Sequence, residues 1–529
     1  MTDLPLQPAD GPAVVLHNLT VRVGNRDLLL PTSAEFPAGE ISLIIGCSGA
    51  GKSTLLRVLS GELPHPDEPV DVAGEVRLGD RPLRKAGNRI GIVYQNHALF
   101  DELSAAQNVA FAQDHRGPGT QTSEQLSPAE WLDQLQIPAN VPTGRLSGGQ
   151  QQRLAIARTM AYDPDLVLYD EPTAGLDPDT ATHVAGLIRD THAAQRKTSL
   201  VVTHDYETLP QIADRIFLLD AEALALREIP KDDWSQLRGL FKQPQTPSGP
   251  TASAGTPSLG RWWARQAGQF LESSSRAVEA LAAVPLRLIP IWKSPRWGLR
   301  FAVHYLRLVA GLSAVAYIAI SGLIIGFVAT YFTFRFLPFS KYTEPLLIEN
   351  LLSSIGFSLY RILVPVLATL LIASRCGAAV AADVGGKTYG RQMDALRTLG
   401  APPKRYLLTG ILYAFLLGTP WLTGLAYLVA HATSLAVFTS IYPERGPDFW
   451  HLHFHKDLLL PHRALYIGTG WLTAKLLACG VGTALIAYHC GSRPKTSSTD
   501  VSRGITRAIL WSTLLVLLIH FGFTFVEFD

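Results

Sequence analysis

The sequence predicts an α/β domain built around a phosphate-binding loop, followed by an all-α polytopic membrane domain with about five transmembrane helices. The first observation is an apolar run at 41–45 that leads into GCSGAGKST at 46–54, in a strand, glycine loop and helix setting. In such a loop, backbone N–H groups curl around a phosphate. The second observation is that several stretches after about Leu306 are apolar and long enough to cross ~30 Å of hydrocarbon.

Composition limits the function classes. A net charge of +2 with 17% charged residues does not indicate a nucleic-acid partner, which would need a concentrated basic face. The first twelve residues lack the apolar segment of a secretory signal, so we expect the N-terminal half in the cytosol. The four cysteines show neither a disulfide framework nor zinc spacing: Cys47, Cys376, Cys479 and Cys490.

The glycine loop predicts the phosphate site directly. Lys52 is expected to reach the β- and γ-phosphates, and Ser53 to offer its hydroxyl to Mg²⁺. The following helix adds its N-terminal partial positive charge. The other residues assigned to nucleotide binding in this loop are Gly46, Ser48, Gly49, Gly51 and Thr54.

Polar residues follow the later predicted strands. The strand at 166–170 ends in Asp170, suited to hold Mg²⁺ through water, and Glu171, suited to polarise the attacking water as general base. The strand at 199–202 is followed by His204, expected near the γ-phosphate, and the strand at 90–94 by Gln95.

A second anion site is predicted at the start of another helix. Ser147 is placed as its N-cap, and Gly148 and Gly149 expose backbone N–H groups just before Gln150. Asp177 follows in a later loop. Each of these pieces is common alone, but their order along one chain is specific.

Residues 13 to 240 resemble the nucleotide-binding domain of ABC transporters. The resemblance rests on the Walker A loop, Gln95 as the Q-loop, the LSGGQ signature at 146–150, the Walker B carboxylates, Asp177 as the D-loop and His204 as the switch histidine. It implies a head-to-tail dimer in which ATP lies between Walker A of one copy and Ser147–Gly149 of the other. It also implies a catalytic set of Glu171, His204, Lys52 and Gln95, and an Mg²⁺ set of Ser53, Gln95 and Asp170. Val23 stands where an aromatic residue commonly stacks on adenine, so the base contact is left open.

The chain divides as follows in the prediction: an ATPase domain at 1–242, a flexible linker at 243–260, interfacial or elbow helices at 261–305 and a permease domain at 306–529. The linker is rich in Pro, Ser, Thr and Gly. The segment from Arg261 is amphipathic but too polar to span. A surface helix that packs on the ATPase domain is the alternative for it.

Five crossings are predicted at roughly 306–336, 351–375, 406–441, 464–488 and 506–527. The third is long for one straight crossing, and Pro420 is expected to break or kink it. Gly322 and Gly326 allow close helix contact. Basic loops at 387–405 and 493–503 indicate a cytosolic ATPase domain and an outside C-terminus.

The cytosolic loop before Pro402 contains a helix-like segment at about 388–400. We expect this segment to dock on the ATPase domain near the Q-loop and to couple its closure to the membrane, with Gln392, Asp394, Arg397 and Gly400 as the coupling residues. A solvated loop is the alternative.

The second half, about 258–529, resembles the permease of lipid-trafficking systems of the maintenance-of-lipid-asymmetry type, which work with MCE-domain proteins. The matching stretches are ATLL at 368–371 through SRCGAA at 374–379, QMDALR at 392–397 and TDVSRG at 499–504. In that family permease and ATPase are usually separate chains. Their fusion implies a transporter made of two copies of this chain, with a periplasmic MCE protein and phospholipid as partners, in the inner membrane of a double-membraned bacterium.

Arg361 and the histidines of the outer loop each allow two interpretations. Arg361, inside an apolar stretch, either faces the dimer cavity and meets a lipid phosphate or extends to the outer headgroups. The family's acidic residue just after this arginine is absent here. The outer-loop histidines His451, His453, His455 and His462 suit a metal, but a solvated loop or a partner surface is favoured because neither Cys nor clustered acids accompany them.

The sequence therefore predicts ATP-driven movement of phospholipid or a related hydrophobic lipid with an MCE partner. One alternative is an ABC exporter that needs no MCE protein. Another is a signal-transmitting ABC complex, which would need a large extracytoplasmic domain, and the longest outer loop, 441–463, is too short for one. Transport direction, lipid identity and partner stoichiometry are left open.

Overall fold

The computed structural model describes residues 11–47, 49–63, 70–83, 89–117, 126–237, 282–336, 340–459 and 465–528. These residues form two compact units. One contains the N-terminal α/β part together with Gly390–Ala401, and the other contains the rest of the C-terminal half. Ser48, the predicted linker and residues 261–281 of the predicted interfacial segment lie outside the described residues.

The strands all belong to the first unit. In chain order they are β1 (Val14–Val23), β2 (Arg26–Phe36), β3 (Ile41–Ile45), β4 (Val70–Leu78), β5 (Arg81–Pro82), β6 (Ile90–Val93), β7 (Leu166–Asp170), β8 (Thr198–Thr203), β9 (Arg215–Asp220) and β10 (Ala225–Ile229).

Two sheets result. The antiparallel sheet has the order β2-β1-β4-β5, and its first hairpin turns at Gly24, since Val23 pairs with Arg26 and Gly24 has a φ of 58°. That left-handed conformation costs glycine little. The larger sheet has the order β10-β9-β3-β8-β7-β6, parallel except for β10.

The register of the larger sheet positions the site. Ile45 at the end of β3 pairs with Thr203 at the end of β8, and Asp170 at the end of β7 pairs with Val202. Every residue of β3, β7 and β8 is buried, as the apolar runs predicted for a parallel sheet covered on both faces. The residues that follow these strands therefore emerge at one edge.

The α-helices described before residue 282 are α1 (Lys52–Leu59), α2 (Ala105–Asp114), α3 (Pro128–Gln134), α4 (Gly148–Ala161) and α5 (Pro178–Gln195). Those from residue 282 onward are α6 (Val284–Leu288), α7 (Pro295–Ala310), α8 (Leu312–Phe336), α9 (Ser340–Ser358), α10 (Val364–Tyr389), α11 (Gln392–Thr398), α12 (Thr409–Ile441), α13 (Gly446–Phe454), α14 (Thr469–Ser492) and α15 (Ser498–Phe528). Of these, α11 belongs to the first unit and the others to the second.

Among the described residues, five helical stretches are long and apolar enough to span a membrane, which confirms the predicted number. They are Pro295–Phe336, Ile348–Tyr389, Lys404–Ile441, Thr469–Ser492 and Ser498–Glu527. In the third, α12 continues through Pro420 as a single helix, so the predicted break at Pro420 is wrong, while a kink there stays a prediction. A proline is tolerated in a membrane helix when neighbouring groups satisfy the freed carbonyl.

The glycine pair on α8 packs against α12, as predicted. A Cβ atom on Gly322 would lie 2.5 Å from the carbonyl oxygen of Ala426, and one on Gly326 would lie 2.4 Å from that of Ala430. Only residues without a side chain allow the two backbones to approach so closely.

The helix predicted at about 388–400 is shorter than expected. Residues up to Tyr389 complete α10, and α11 begins at Gln392 after Arg391, which has a φ of 58°. This left-handed residue breaks the helical path, because α-helices need negative φ. After α11, Gly400 has a φ of 70° and turns the chain before Pro402.

Candidate functional site

The phosphate loop leaves β3 and enters α1 through Gly51, whose φ of 96° favours glycine. Lys52 is 6% exposed, and its Nζ donates hydrogen bonds to the carbonyl oxygens of Gly46 at 2.8 Å and Cys47 at 3.1 Å. Burial lowers the pKa of Lys52, and the negative charge of Glu171 partly opposes this effect. The ammonium is thus held inside the loop, where it can meet an incoming phosphate.

Glu171 connects the loop to the neighbouring strands. Its Oε1 lies 3.9 Å from Nζ of Lys52, and its Oε2 lies 3.1 Å from Nδ1 of His204. Its backbone has a φ of 48°, and its N–H donates to the carbonyl oxygen of Val202 at 2.8 Å. A left-handed conformation at a non-glycine residue is costly and is held here by the sheet. The structure therefore brings together three of the four predicted catalytic residues.

An oxygen pair suited to Mg²⁺ lies beside them. The hydroxyl of Ser53 donates to Oδ1 of Asp170 at 3.4 Å, and Asp170 is 8% exposed. Burial raises the pKa of Asp170, and the positive charge of Arg391 partly opposes it. Hydroxyl and carboxylate oxygens are ligands that Mg²⁺ prefers, so these residues fit the ion.

Gln95 lies at the same sheet edge. It follows β6 by two residues, and β6 pairs with β7 so that Val93 faces Tyr169. Its side chain is exposed. The position agrees with the predicted role, and its function stays a prediction.

The signature turn caps its own helix. Ser147 is the N-cap of α4, as predicted, and its hydroxyl accepts from the N–H of Gln150 at 3.3 Å while the Gln150 side chain accepts from the Ser147 N–H at 3.0 Å. A Cβ atom on Gly148 would meet no atom within 4 Å. Within the described part of this single chain, no hydrogen bond joins this turn to the phosphate loop.

Asp177 also caps a helix. It is the N-cap of α5 and accepts from the Thr180 N–H at 3.0 Å and the Thr180 hydroxyl at 2.7 Å. The hydrogen bonds from Thr180 lower the pKa of Asp177. Its carboxylate is therefore charged at neutral pH and fixed in direction.

Within the first unit, α11 packs close to β6. Nε2 of Gln392 donates to Oδ2 of Asp101 at 2.8 Å, and Gln392 is 5% exposed. Asp394 accepts from Arg397 at 2.9 Å within the segment. Of the predicted coupling residues, Gln392 thus makes the direct bond to the α/β part.

A buried acid beside α11 was not anticipated from the sequence. Glu62, just after α1, accepts from the hydroxyl of Tyr94 at 2.7 Å, and Tyr94 immediately follows β6. Burial raises the pKa of Glu62, and the negative charge of Asp394 raises it further. Glu62 follows α1 in a polar stretch of sequence, so its burial against Tyr94 and Asp394 could not be predicted.

In the second unit Arg361 is buried and paired. Its Nη2 lies 2.6 Å from Oε1 of Glu527, and Lys475 donates to the other oxygen of the same carboxylate. Arg361 is 9% exposed, and the Glu527 side chain is fully buried. The carboxylate missing beside Arg361 in the sequence is thus supplied from the far end of the chain. In the sequence, the only hint of this buried charge cluster was a lysine, Lys475, within an apolar span.

A cavity of about 650 Å³ borders this pair. Arg361 and Glu527 line it together with Ile467, Gly468, Gly470, Trp471 and Ala474. Gly468 is required there, since a Cβ atom would lie 2.6 Å from Nε of Arg361. The cavity therefore presents one charged pair among small and apolar residues.

Two family models match the chain. One, described as ABC transporter, matches residues 29–174, and the other, described as permease MlaE, matches residues 306–526. The chain is an ABC-transporter ATPase fused to an MlaE-type permease. The first match contains the phosphate loop, Asp170 and Glu171, and the second overlaps all five candidate membrane spans.

Relatives of the ATPase part of this fused ABC protein are ATP-binding proteins. The methionine import ATP-binding protein MetN of Lactobacillus johnsonii is 34% identical over 239 residues, which are 44% of this chain and 66% of that protein. The sulfate/thiosulfate import ATP-binding protein CysA of Synechocystis is 35% identical over 208 residues, 39% of this chain and 58% of that protein. The chain thus spans about 58 to 66% of the length of these curated relatives.

A solved structure also matches the ABC ATPase part. The dimeric structure of MJ0796, a bacterial ABC transporter cassette, is 30% identical and aligns with a TM-score of 0.34 over 41% of this chain and 97% of that one.

Proposed function

We propose that this chain is one half of a homodimeric transporter that uses ATP hydrolysis to move phospholipid or a related hydrophobic lipid with a periplasmic MCE-domain protein. The observation that carries the proposal is the presence, in one chain, of an ATP site with its Lys52–Glu171–His204 cluster and a permease domain of the MlaE type. The relatives named as import ATP-binding proteins support transport as the work that this ATPase drives.

The cluster assigns the chemistry of hydrolysis. Lys52 neutralises the β- and γ-phosphates, and Glu171 accepts the proton of the water that attacks the γ-phosphorus. His204, 3.1 Å from Glu171, would orient that carboxylate and meet the γ-phosphate of bound ATP. Ser53, Asp170 and Gln95 would hold Mg²⁺, which supplies charge stabilisation at the phosphates.

The signature turn is proposed to act on the other copy. Exposed N–H groups at Gly148 and Gly149 begin a fourteen-residue helix, and such a helix start favours an anion. Because Ser147 and Gln150 are rigidly held by their capping box, a partner's γ-phosphate would meet a preformed surface. Asp177 would complete the same interface. This arrangement supports a second copy as partner.

The cavity beside Arg361 is proposed as the lipid site. Two cations, Arg361 and Lys475, share one carboxylate, Glu527, so the cluster carries a net charge of +1 (two minus one). Buried charge in a membrane segment is costly and usually functional. A phosphate headgroup would neutralise the excess charge, and Trp471 offers apolar surface to an acyl chain.

Loop charges support the proposed location. The basic loops at 387–405 and 493–503 favour the cytosolic side, which leaves the ATPase domain in the cytosol and the C-terminus in the periplasm of an inner-membrane protein. The bond between Gln392 and Asp101 supports α11 as the element that transmits closure of the ATPase.

The test is affinity purification of the full chain from native membranes, followed by mass spectrometry of bound proteins and lipids. We expect a stoichiometric MCE-domain protein and bound phospholipid, with lipid lost in Arg361→Ala while ATP hydrolysis persists. Arg335→Ala is the control, because that arginine is exposed at the end of α8. Reproducible absence of both partners would favour a self-contained exporter of another hydrophobic substrate. An MCE protein with ATP-driven shape change but no lipid would favour a signalling complex.

A further inference from the structure

Three histidines of the second unit meet near the outer end of α12. His431 belongs to α12, His451 to α13, and His455 follows α13 directly. One ring nitrogen from each lies within 4.8 Å of the others. Of these three residues, the sequence pattern singled out only His451 and His455, because His431 lies within a long apolar helix and has no regular spacing to them.

The closest pair already has the separation that a metal ion requires. Nε2 of His431 lies 3.3 Å from Nε2 of His455. Two imidazole nitrogens bound to one tetrahedral ion at about 2.0–2.1 Å lie about 3.3–3.4 Å apart. The third ring, His451, needs a shift of roughly 1 to 1.5 Å to reach the same separation, and as an exposed side chain it is free to make it.

A neighbouring hydroxyl supports His455 as a ligand. Nδ1 of His455 lies 3.3 Å from the hydroxyl of Tyr466, and in the tautomer that donates from Nδ1–H to that oxygen, the Nε2 lone pair is available to a metal ion. Metal-binding histidines usually donate their other nitrogen to such an outer partner. At pH 7 an ordinary imidazole is neutral, which is the ligating form.

Buried aromatic rings hold the cluster in place. Trp450 and Phe454 are both fully buried, stack at 4.1 Å, and contact His431 at 4.7 and 5.4 Å between ring centroids. A rigid wall behind the ligands reduces the ordering that metal binding would otherwise require. The remaining loop histidine of this helix, His453, points elsewhere, with Nδ1 3.7 Å from Glu349.

We propose that His431, His451 and His455 form a binding site for a divalent transition-metal ion, with Zn²⁺ as the reference ion. Three neutral nitrogen donors without a carboxylate suit zinc and exclude the hard ions that need oxygen ligands. The exposed side of His451 leaves the fourth position to water or to another donor. Bound metal would tie α13 to α12, independently of the proposed lipid transport.

The test uses the full chain with a tag that contains no histidine, purified in detergent and stripped with a chelator. Zn²⁺ binding is measured by competition with a chromophoric chelator, and Co²⁺ loading by visible absorption, which reports tetrahedral geometry. We expect one ion per chain and at least a tenfold loss of affinity in His431→Asn, His451→Gln and His455→Asn.

Two variants make the result decisive. The control is His453→Gln, which removes one histidine, as each ligand variant does, from α13, the helix that carries His451. We expect this control to bind Zn²⁺ with wild-type affinity. His451→Gln changes an exposed side chain, so its folded state is not at risk. A wild-type chain that binds less than one Zn²⁺, or equal affinity in His451→Gln and His453→Gln, would show that the three rings form only an aromatic and hydrogen-bonded cluster.

Discussion

Oε2 of Glu171 lies 3.1 Å from Nδ1 of His204, across the parallel strands β7 and β8. The pair depends on backbone as much as on side chains, because Glu171 adopts a φ of 48° and bonds to the strand that leads to His204. A strained residue fixed by its sheet is a common way to hold a reacting group in direction. The consequence is that the backbone, as well as the side chain, sets the direction of the proposed general base.

Glu171→Gln removes the base and keeps the size of the side chain. We expect ATP hydrolysis to fall at least ~100-fold because proton transfer to the carboxylate is lost, while ATP binding persists. Phosphate release and nucleotide binding measure the two effects. Glu222→Gln, at a surface turn after β9, is the control and should leave both unchanged. If Glu171→Gln hydrolysed ATP at the wild-type rate, Glu171 would not be the general base.

Ser53→Ala deletes the hydroxyl that faces Asp170 at 3.4 Å. Because one oxygen ligand is lost, we expect the Mg²⁺ concentration for half-maximal hydrolysis to rise by about tenfold. Ser53→Thr retains the hydroxyl and should behave like the wild type. A titration of ATPase activity with Mg²⁺ makes the comparison. An unchanged Mg²⁺ requirement in the alanine variant would exclude Ser53 as a ligand.

Asp101→Ala removes the acceptor for Gln392. A hydrogen bond of this kind contributes about 0.5–1.5 kcal/mol, so amide exchange in α11 should accelerate roughly 2- to 12-fold. Hydrogen exchange of the full chain, followed by mass spectrometry, measures this. Asp101→Asn still offers an oxygen and is the matched control. If Asp101→Ala left exchange in α11 unchanged, the bond would not hold the segment.

The buried Glu62 gives a pH dependence. Burial and the charge of Asp394 raise the pKa of this carboxyl in the folded chain. The folded state therefore binds more protons than the unfolded state, and the contribution of Glu62 is present below about pH 4.3 and lost as pH rises through the raised pKa. We expect Glu62→Gln to gain melting temperature relative to the wild type as pH rises from 4.5 to 7. A difference that is constant with pH would contradict the raised pKa.

Gly326→Ala tests the contact between α8 and α12. The added Cβ would lie 2.4 Å from the carbonyl oxygen of Ala430, which is backbone and cannot move aside alone. Overpacking of this kind costs about 1–3 kcal/mol. Thermal unfolding in detergent should show a lower melting temperature. Gly424→Ala on α12 is the control, because its Cβ would meet no atom within 4 Å. If Gly326→Ala and Gly424→Ala had equal melting temperatures, the close contact between α8 and α12 would not contribute to stability.

The ATP site could be predicted because its residues follow strand ends. Parallel strands in register place Gly46, Gln95, Glu171 and His204 at one edge, so local motifs carry the three-dimensional arrangement. The number of membrane spans was equally readable from apolar length. These features need only short-range sequence information.

Other contacts join residues too distant for any local pattern. Glu527 pairs with Arg361 over 166 positions, and Gln392 reaches Asp101 over 291. His431 is hidden in an apolar helix, and its meeting with His455 depends on where α13 returns against α12. Pro420 was expected to break or kink its helix, and the helix continues without a break, since the helix-breaking propensity of proline is weaker in a membrane segment.

Twelve residues of the permease, Gly390–Ala401, fold as part of the ATPase unit. The boundary between the two modules is therefore not one cut in the chain. A chimera that exchanged only the N-terminal ATPase would bring a foreign surface to this segment and remove the acceptor that Gln392 now has in Asp101. Whether the ATPase and the permease are one chain or two, the contact between segment 390–401 and the ATPase must be kept. Substitutions in this segment and in the ATPase surface around Asp101 are therefore expected to occur together.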